Sequence, residues 1–80
     1  MNTVYNENMV VLHIKDIMIK KNINRYQLSQ MTGIKYDIIT KYYNGDCYQI
    51  DLVNIAKICS ALECDLMDIL ELKNIIEKNW

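Results

Sequence analysis

The chain contains no proline and only two glycines among its 80 residues, and this scarcity of turn residues constrains the fold most strongly. A β-sandwich or β-barrel needs many tight turns, and Gly and Pro supply most of them. Hydrophobic residues make up 51% of the chain and charged residues 24%, which favours a folded domain over a disordered segment. A chain of this length forms one domain at most. We therefore expect a single compact all-α domain.

Apolar residues recur at offsets of three and four along five segments, and this spacing predicts five short helices. We expect the helices at residues 9–21, 25–31, 36–44 and 52–62, with a fifth that starts at Leu66 and ends within the domain or continues through Ile76. No strand pattern of any length is visible. The predicted layout is an N-terminal tail or arm at residues 1–8, the domain itself at 9–72, and a C-terminal helical extension at 73–80.

Cysteine and histidine usage argues against a metal site, a disulfide framework and catalysis. Cys47, Cys59 and Cys64 are odd in number and lack CxxC spacing, so we expect reduced thiols in a cytoplasmic protein. His13 could join the three cysteines around zinc, but the gaps between them match no common zinc pattern. His13 also has no Ser or Cys near it, and the chain has no glycine-rich phosphate loop. We expect no metal, no cofactor and no enzymatic activity.

Neither a membrane nor a small molecule is expected as a partner. The longest apolar run, from Met9 to Leu12, is far shorter than the ~20 residues that a membrane span requires. The residues before it include Glu7 and no Lys or Arg, unlike a secretory signal. No separate effector domain follows the predicted helices, so we expect no small-molecule ligand.

The segment from Arg25 to Asn44 predicts a short helix, a glycine-centred turn and a second helix. Asn24 and Gln27 have the spacing of a capping box, which marks the start of the first of these helices. Gly33 can adopt a positive φ at no steric cost and so supply the turn. Such a pair projects the outer face of its second helix from the surface, where it can enter the ~12 Å major groove of DNA.

Several further motifs occur in order along the chain: Tyr26-Gln27-Leu28-Ser29, Thr32-Gly33-Ile34, Tyr43-Asn44-Gly45, Ile50-Asp51-Leu52, and Lys57-Ile58-Cys59 with Ala61-Leu62. On these motifs, over roughly residues 10–72, the chain resembles the Cro/cI-type (XRE-like) helix-turn-helix domains of phage repressors and small bacterial regulators. The resemblance implies a lambda-repressor-like all-α fold that binds double-stranded DNA. It also implies a transcriptional regulator, most simply a repressor that occupies a palindromic operator.

The resemblance further assigns candidate DNA contacts. Gln27 would contact a phosphate from the start of its helix, and Asn44 would lie near the DNA backbone at the end of the next. The groove-facing side of helix 36–44 would present Lys35, Tyr36, Asp37, Thr40 and Lys41, and Arg25 completes the set. Two interpretations stay open for Asp37, which either complements the helix dipole or accepts a hydrogen bond from a cytosine amino group. Tyr36 either touches a base or a phosphate, or covers the start of its helix.

The distribution of charge supports a DNA partner independently of the motifs. The net charge is only −1, but residues 15–45 hold six Lys or Arg against two acids, whereas the rest of the chain holds three against eight. A basic half that contains the predicted DNA-reading helix is the electrostatic footprint that DNA binding requires. Asp37 and the acidic half also keep an alternative open: a protein-interaction role on the same fold, as an antitoxin-like or anti-repressor partner with weak or no DNA reading.

We also expect a homodimer, because one reading helix covers only about half a turn of groove and two-fold pairing places two such helices ~34 Å apart. Apolar residues near the C-terminus exceed what a five-helix domain can bury, which is typical of an interface. The predicted interface consists of Leu66, Ile69, Leu70, Ile75, Ile76 and Trp80. In the alternative, this segment folds back over its own core.

Overall fold

The computed structural model describes residues 10–45 and 49–73. Along the chain lie β1 (Val10–Leu12), α1 (Ile14–Lys20), α2 (Arg25–Thr32), α3 (Tyr36–Asn44), α4 (Leu52–Leu62), α5 (Leu66–Ile69) and β2 (Leu70–Leu72). The five helices confirm the expected fold class. The predicted tail at 1–8 and most of the predicted extension at 73–80 lie outside the described residues.

A small antiparallel sheet joins the two ends of the domain, and the expectation of no strands was wrong. Val10 pairs with Leu72, and Leu12 pairs with Leu70. Residues 10–12 are therefore extended rather than helical, and α5 stops at Ile69 because the chain turns there into β2. Apolar spacing missed the sheet because each strand has only three residues and its partner lies at the other end of the domain.

The starts of α2 and α4 follow local signals in the sequence. Asn24 and Gln27 form the expected capping box, in which each side-chain oxygen accepts the other residue's backbone N–H at 2.8 Å. The Asp51 carboxylate accepts the N–H groups of Val53 and Asn54 at 2.8 and 3.1 Å, so Asp51 is the N-cap of α4. These bonds satisfy donors that have no partner within the helix.

All five helices contribute to one apolar core. Its members are almost fully inaccessible to solvent: Ile14, Met18, Leu28, Ile34, Ile39, Tyr42, Ile55, Ile58, Leu62 and Ile69. Met31 and Leu52 are exposed, at 53% and 76%, although both are apolar residues of core-forming helices. The core contains Leu28 of α2 and Ile55 of α4. Met31 and Leu52 lie about one turn away from them, outside the core.

Candidate nucleic-acid interface

The outer side of α3 forms one continuous stripe of exposed or half-exposed side chains. Ile39 and Tyr42 are buried in the core, and this fixes the rotation of the helix about its axis. Residues three, four and seven apart lie on the same side of a helix. The side away from the core therefore presents a set that we call the outer stripe: Tyr36, Asp37, Thr40, Lys41 and Asn44. The structure thus brings together five of the predicted contact residues, and exposed Lys35 precedes them as the N-cap of α3.

A hydrogen-bonded turn sets the direction in which α3 leaves α2. Gly33 lies in the left-handed region at φ +76°, as expected, and its N–H donates to the carbonyl of Ser29 at 2.8 Å. The Ser29 hydroxyl donates to the carbonyl of Ile34 at 2.6 Å, while the Ile34 N–H donates to the Thr32 hydroxyl at 3.2 Å. Because Ile34 is itself buried, the turn is anchored both by hydrogen bonds and by the core.

Arg25, the first residue of α2, lies along one flank of α3. Its Cζ atom is 5.3 Å from the ring centroids of both Tyr36 and Tyr43. Its Nη1 donates a hydrogen bond to the Thr40 hydroxyl at 3.3 Å. The two cation–π contacts and this bond hold the guanidinium beside the outer stripe. A guanidinium has five N–H donors, and the bond to Thr40 uses one of them.

A groove of about 590 Å³ opens at the start of α2, where Asn22, Asn24, Arg25 and Gln27 contribute polar groups to its lining. Gln27 is exposed, but its Oε1 atom already accepts the N–H of Asn24 in the capping box. The expected phosphate contact of Gln27 would therefore come from its Nε2 amide, which can only donate. The backbone N–H groups at a helix start also favour an anion.

The described residues divide their charge unevenly between the first three helices and the elements after them. Residues 10–45, which form β1 and α1–α3, hold six Lys or Arg and two acids, whereas residues 49–73 hold two lysines and five acids. Within these ranges, the ion pairs all involve His13, and none joins a Lys or Arg to a carboxylate. The cations around α3 therefore keep their full attraction for a polyanion.

His13 connects the start of α1 to the C-terminal end of the domain. Its Nε2 donates to Glu71 at 2.6 Å and its Nδ1 to Asp16 at 3.3 Å. Its backbone N–H donates to the carbonyl of Ile69 at 2.6 Å. The hydrogen bond to Glu71, and then the bond to Asp16, raise the pKa of His13 above its ordinary value. The side chain thus links α1 to β2.

The remaining reactive groups form no evident chemical site in the described part of the chain. Burial, and then the neighbouring Cys59 thiol, raise the pKa of Cys64. A raised pKa is the opposite of what an activated thiolate needs. Residues 10–45 and 49–73 contain no group of three potential metal ligands and no helix long and apolar enough to cross a membrane.

The predicted dimer residues separate into three groups. Leu66 is exposed and Leu70 is half-buried. Leu72, two residues after Leu70 on β2, is also exposed. Ile69 is completely buried, so its assignment to an interface is corrected: α5 is a single turn, and Ile69 is its contribution to the subunit's own core. The other predicted members, Ile75, Ile76 and Trp80, lie outside the described residues.

Sequence reasoning missed one contact at this surface. The Lys15 Nζ atom lies 5.5 Å from the ring centroid of Tyr43, the same ring that Arg25 contacts. Neither Lys15 nor Tyr43 is among the contact residues predicted from the sequence. No local pattern could have joined them, since α1 and α3 meet only in the folded domain.

Five helices around one core, with an anchored turn that exposes the outer side of α3, define a helix-turn-helix DNA-binding domain. A family model described as the Cro/C1-type HTH DNA-binding domain matches residues 13–74. The chain belongs to this family of DNA-binding transcriptional regulators.

Two known proteins resemble the chain. The HTH-type transcriptional regulator YozG of Bacillus subtilis (strain 168), described as uncharacterized, is 31% identical over 65 residues, which cover 81% of this chain and 77% of YozG. The crystal structure of a Bacteroides fragilis protein described as a candidate DNA-binding protein superposes with a TM-score of 0.70 at 19% identity. The match covers 79% of this chain and all of that one, and it supports the fold.

Proposed function

We propose that this protein is a sequence-specific transcriptional regulator that inserts α3 into the major groove of a palindromic operator. The observation that carries the proposal is the outer stripe of α3, which is exposed, anchored by the turn at Gly33 and flanked by cations without carboxylate partners. Repression is the simplest outcome of such binding, because an occupied operator blocks polymerase without any further domain.

The position of each side chain suggests its role. Tyr36 and Thr40 lie on the stripe next to Arg25 and are suited to base edges and to the thymine methyl group. Lys35, Lys41 and Asn44 are exposed near the two ends of α3 and are suited to phosphates, as are Arg25 and Gln27 from α2. Asp37 is exposed in the first turn, where it complements the positive end of the helix dipole and can also accept from cytosine.

Selection of bound sequences from a random duplex pool tests the proposal directly. We expect the full chain to enrich a palindrome, because a two-fold pair of α3 helices reads two identical half-sites. Absence of enrichment at low salt would contradict the proposal. It would favour the protein-interaction role instead, for which the five acids of residues 49–73 are the relevant feature.

Substitutions in α3 separate phosphate contacts from base contacts. We expect Lys41→Ala to weaken binding about equally for all sequences and to lower the salt slope by ~0.9. We expect Thr40→Ala to reduce discrimination at one base pair by about 1–3 kcal/mol. Lys57→Ala is the matched control, since Lys57 is an exposed lysine on α4. If Thr40→Ala and Lys41→Ala both bind like the control, the reading surface lies elsewhere.

We further infer that the regulator acts as a homodimer through the end of the domain that carries the sheet. Leu66, Leu70 and Leu72 form an apolar surface there with Val10, which pairs with Leu72. A two-stranded sheet is marginal in water, and its outer edges can accept a further strand. Pairing of two copies at this end covers the apolar surface and supplies the second reading helix that a palindrome requires.

A further inference from the structure

The ring of Tyr43 contacts two cations from different helices. Lys15 on α1 lies 5.5 Å from its centroid, and the guanidinium carbon of Arg25 on α2 lies 5.3 Å from it. Tyr43 is half-buried and packs against the core, so the ring is a fixed platform. Lys15 is exposed, whereas Arg25 is half-buried. The contacts therefore hold two positive charges close together, although like charges repel.

The upper limit on the separation of the two cations is compatible with two phosphates of one DNA strand. Since both lie within 5.5 Å of one centroid, they are at most about 11 Å apart. Phosphates of one strand recur every ~3.4 Å along the helix axis, so two cations no more than about 11 Å apart can reach neighbouring phosphates of that strand. The described residues supply neither cation with an ion-pair partner, and Asp16, next to Lys15 in sequence, instead accepts a hydrogen bond from His13.

Arg25 also connects these cations to the outer stripe of α3. It contacts Tyr36 and donates to Thr40, so its guanidinium lies beside the outer stripe. Arg25 therefore lies between the stripe and Lys15, and a polyanion bound along the stripe can contact both cations. We propose that Lys15, Tyr43 and Arg25 form a second DNA-backbone contact, which extends the interface onto α1. Lys15 and Arg25 bind neighbouring phosphates of the strand that borders the groove, and Tyr43 fixes their separation. This inference rests on the proposed function.

A salt titration of Lys15→Gln tests the inference. Affinity is measured by fluorescence anisotropy on a duplex recovered by selection and on an unrelated duplex of equal length, with Lys57→Gln as a control that removes the same charge from α4. We expect Lys15→Gln to lower the salt slope by ~0.9 on both duplexes. The factor by which affinity falls between 50 and 200 mM salt should then be about 3-fold smaller for Lys15→Gln than for the wild type. Lys57→Gln should keep the wild-type slope.

Two variants of the platform complete the test. Tyr43→Phe keeps the aromatic ring and should retain the wild-type salt slope. Tyr43→Leu removes the ring and should weaken binding to both duplexes. Thermal melting verifies that both variants are folded. If Lys15→Gln keeps the wild-type slope while the wild type binds the selected duplex, the second contact is wrong and the proposed function stands. If the wild type binds neither duplex at low salt, the proposed function fails and this inference fails with it.

Discussion

At the scale of single residues, His13 shows how one side chain can tie the ends of the domain together. Both of its ring nitrogens face carboxylates, Asp16 on α1 and Glu71 on β2. Only the protonated imidazole can donate from both nitrogens, so these contacts favour the charged form and raise the pKa of His13 above 6.5. The hydrogen bond to Glu71 is the larger cause.

This raised pKa predicts a pH-dependent stability. The stabilisation is fully present below pH ~6.5, the pKa of histidine in the unfolded chain, and it is lost as the pH rises through the higher pKa of the folded state. We therefore expect the free energy of unfolding to fall between pH 6 and pH 8 in urea titrations. His13→Gln should reduce this dependence.

The chain contains a single histidine, so NMR can follow its imidazole without ambiguity. A titration of the folded protein should give a pKa above 6.5. A value at or below 6.5 would show that Glu71 and Asp16 do not hold the imidazole in solution as they do in the structure.

At the scale of elements, the turn between α2 and α3 depends on the backbone conformation of Gly33. Its φ is +76°, yet a Cβ atom built there would meet no other atom within 4 Å. The cost of a substitution therefore comes from the backbone alone. We expect Gly33→Val to lower the free energy of unfolding by about 1–2 kcal/mol, which is large for a domain of this size.

Gly33→Asn is the matched comparison, because asparagine tolerates the left-handed region better than a β-branched residue does. Asn22 already adopts φ +58° in this chain. Chemical denaturation should therefore rank wild type above Gly33→Asn, and Gly33→Asn above Gly33→Val. Equal losses for both variants would contradict a purely conformational cost.

The elements that sequence analysis predicted correctly depend on local signals. The capping box of Asn24 and Gln27 involves residues three positions apart, and the bonds of the glycine turn join residues no more than five positions apart. The outer stripe of α3 was also predictable, because burial of Ile39 and Tyr42 fixes which residues face outward. Helix ends and helix faces are encoded locally.

The features that were missed depend on contacts between distant parts of the chain. β1 was predicted as helix because Val10 also fits a helical spacing, and only pairing with Leu72 makes it extended. The Arg25 contact with Tyr43 and the Lys15 contact with the same ring arise where three helices meet. Neither apolar periodicity nor charge counting reports which side chains of different helices approach each other.

At the scale of the whole molecule, charge is divided between two regions of the chain. Residues 10–45 hold the unpaired cations and α3, whereas residues 49–73 hold most of the acids and the exposed leucines of α5 and β2. A polyanion is attracted to the first region and repelled by the second. Under the proposed function, this division leaves the acidic region available for contacts between protein copies while the basic region binds DNA.

The proposed dimer is the prediction that belongs to this scale. We expect the wild type to sediment as a dimer at micromolar concentration and Leu72→Glu to sediment as a monomer, because a carboxylate without a partner is costly to bury in an apolar interface. Leu72 is 59% exposed, so the substitution should leave the folded subunit intact. Leu52→Glu adds the same charge at an even more exposed leucine on α4 and should remain dimeric.

With only one reading helix, the Leu72→Glu monomer should bind a palindrome no more tightly than a single half-site. A wild type that is monomeric in solution and binds DNA as a monomer would rule out the dimer, and the operator would then be a single half-site.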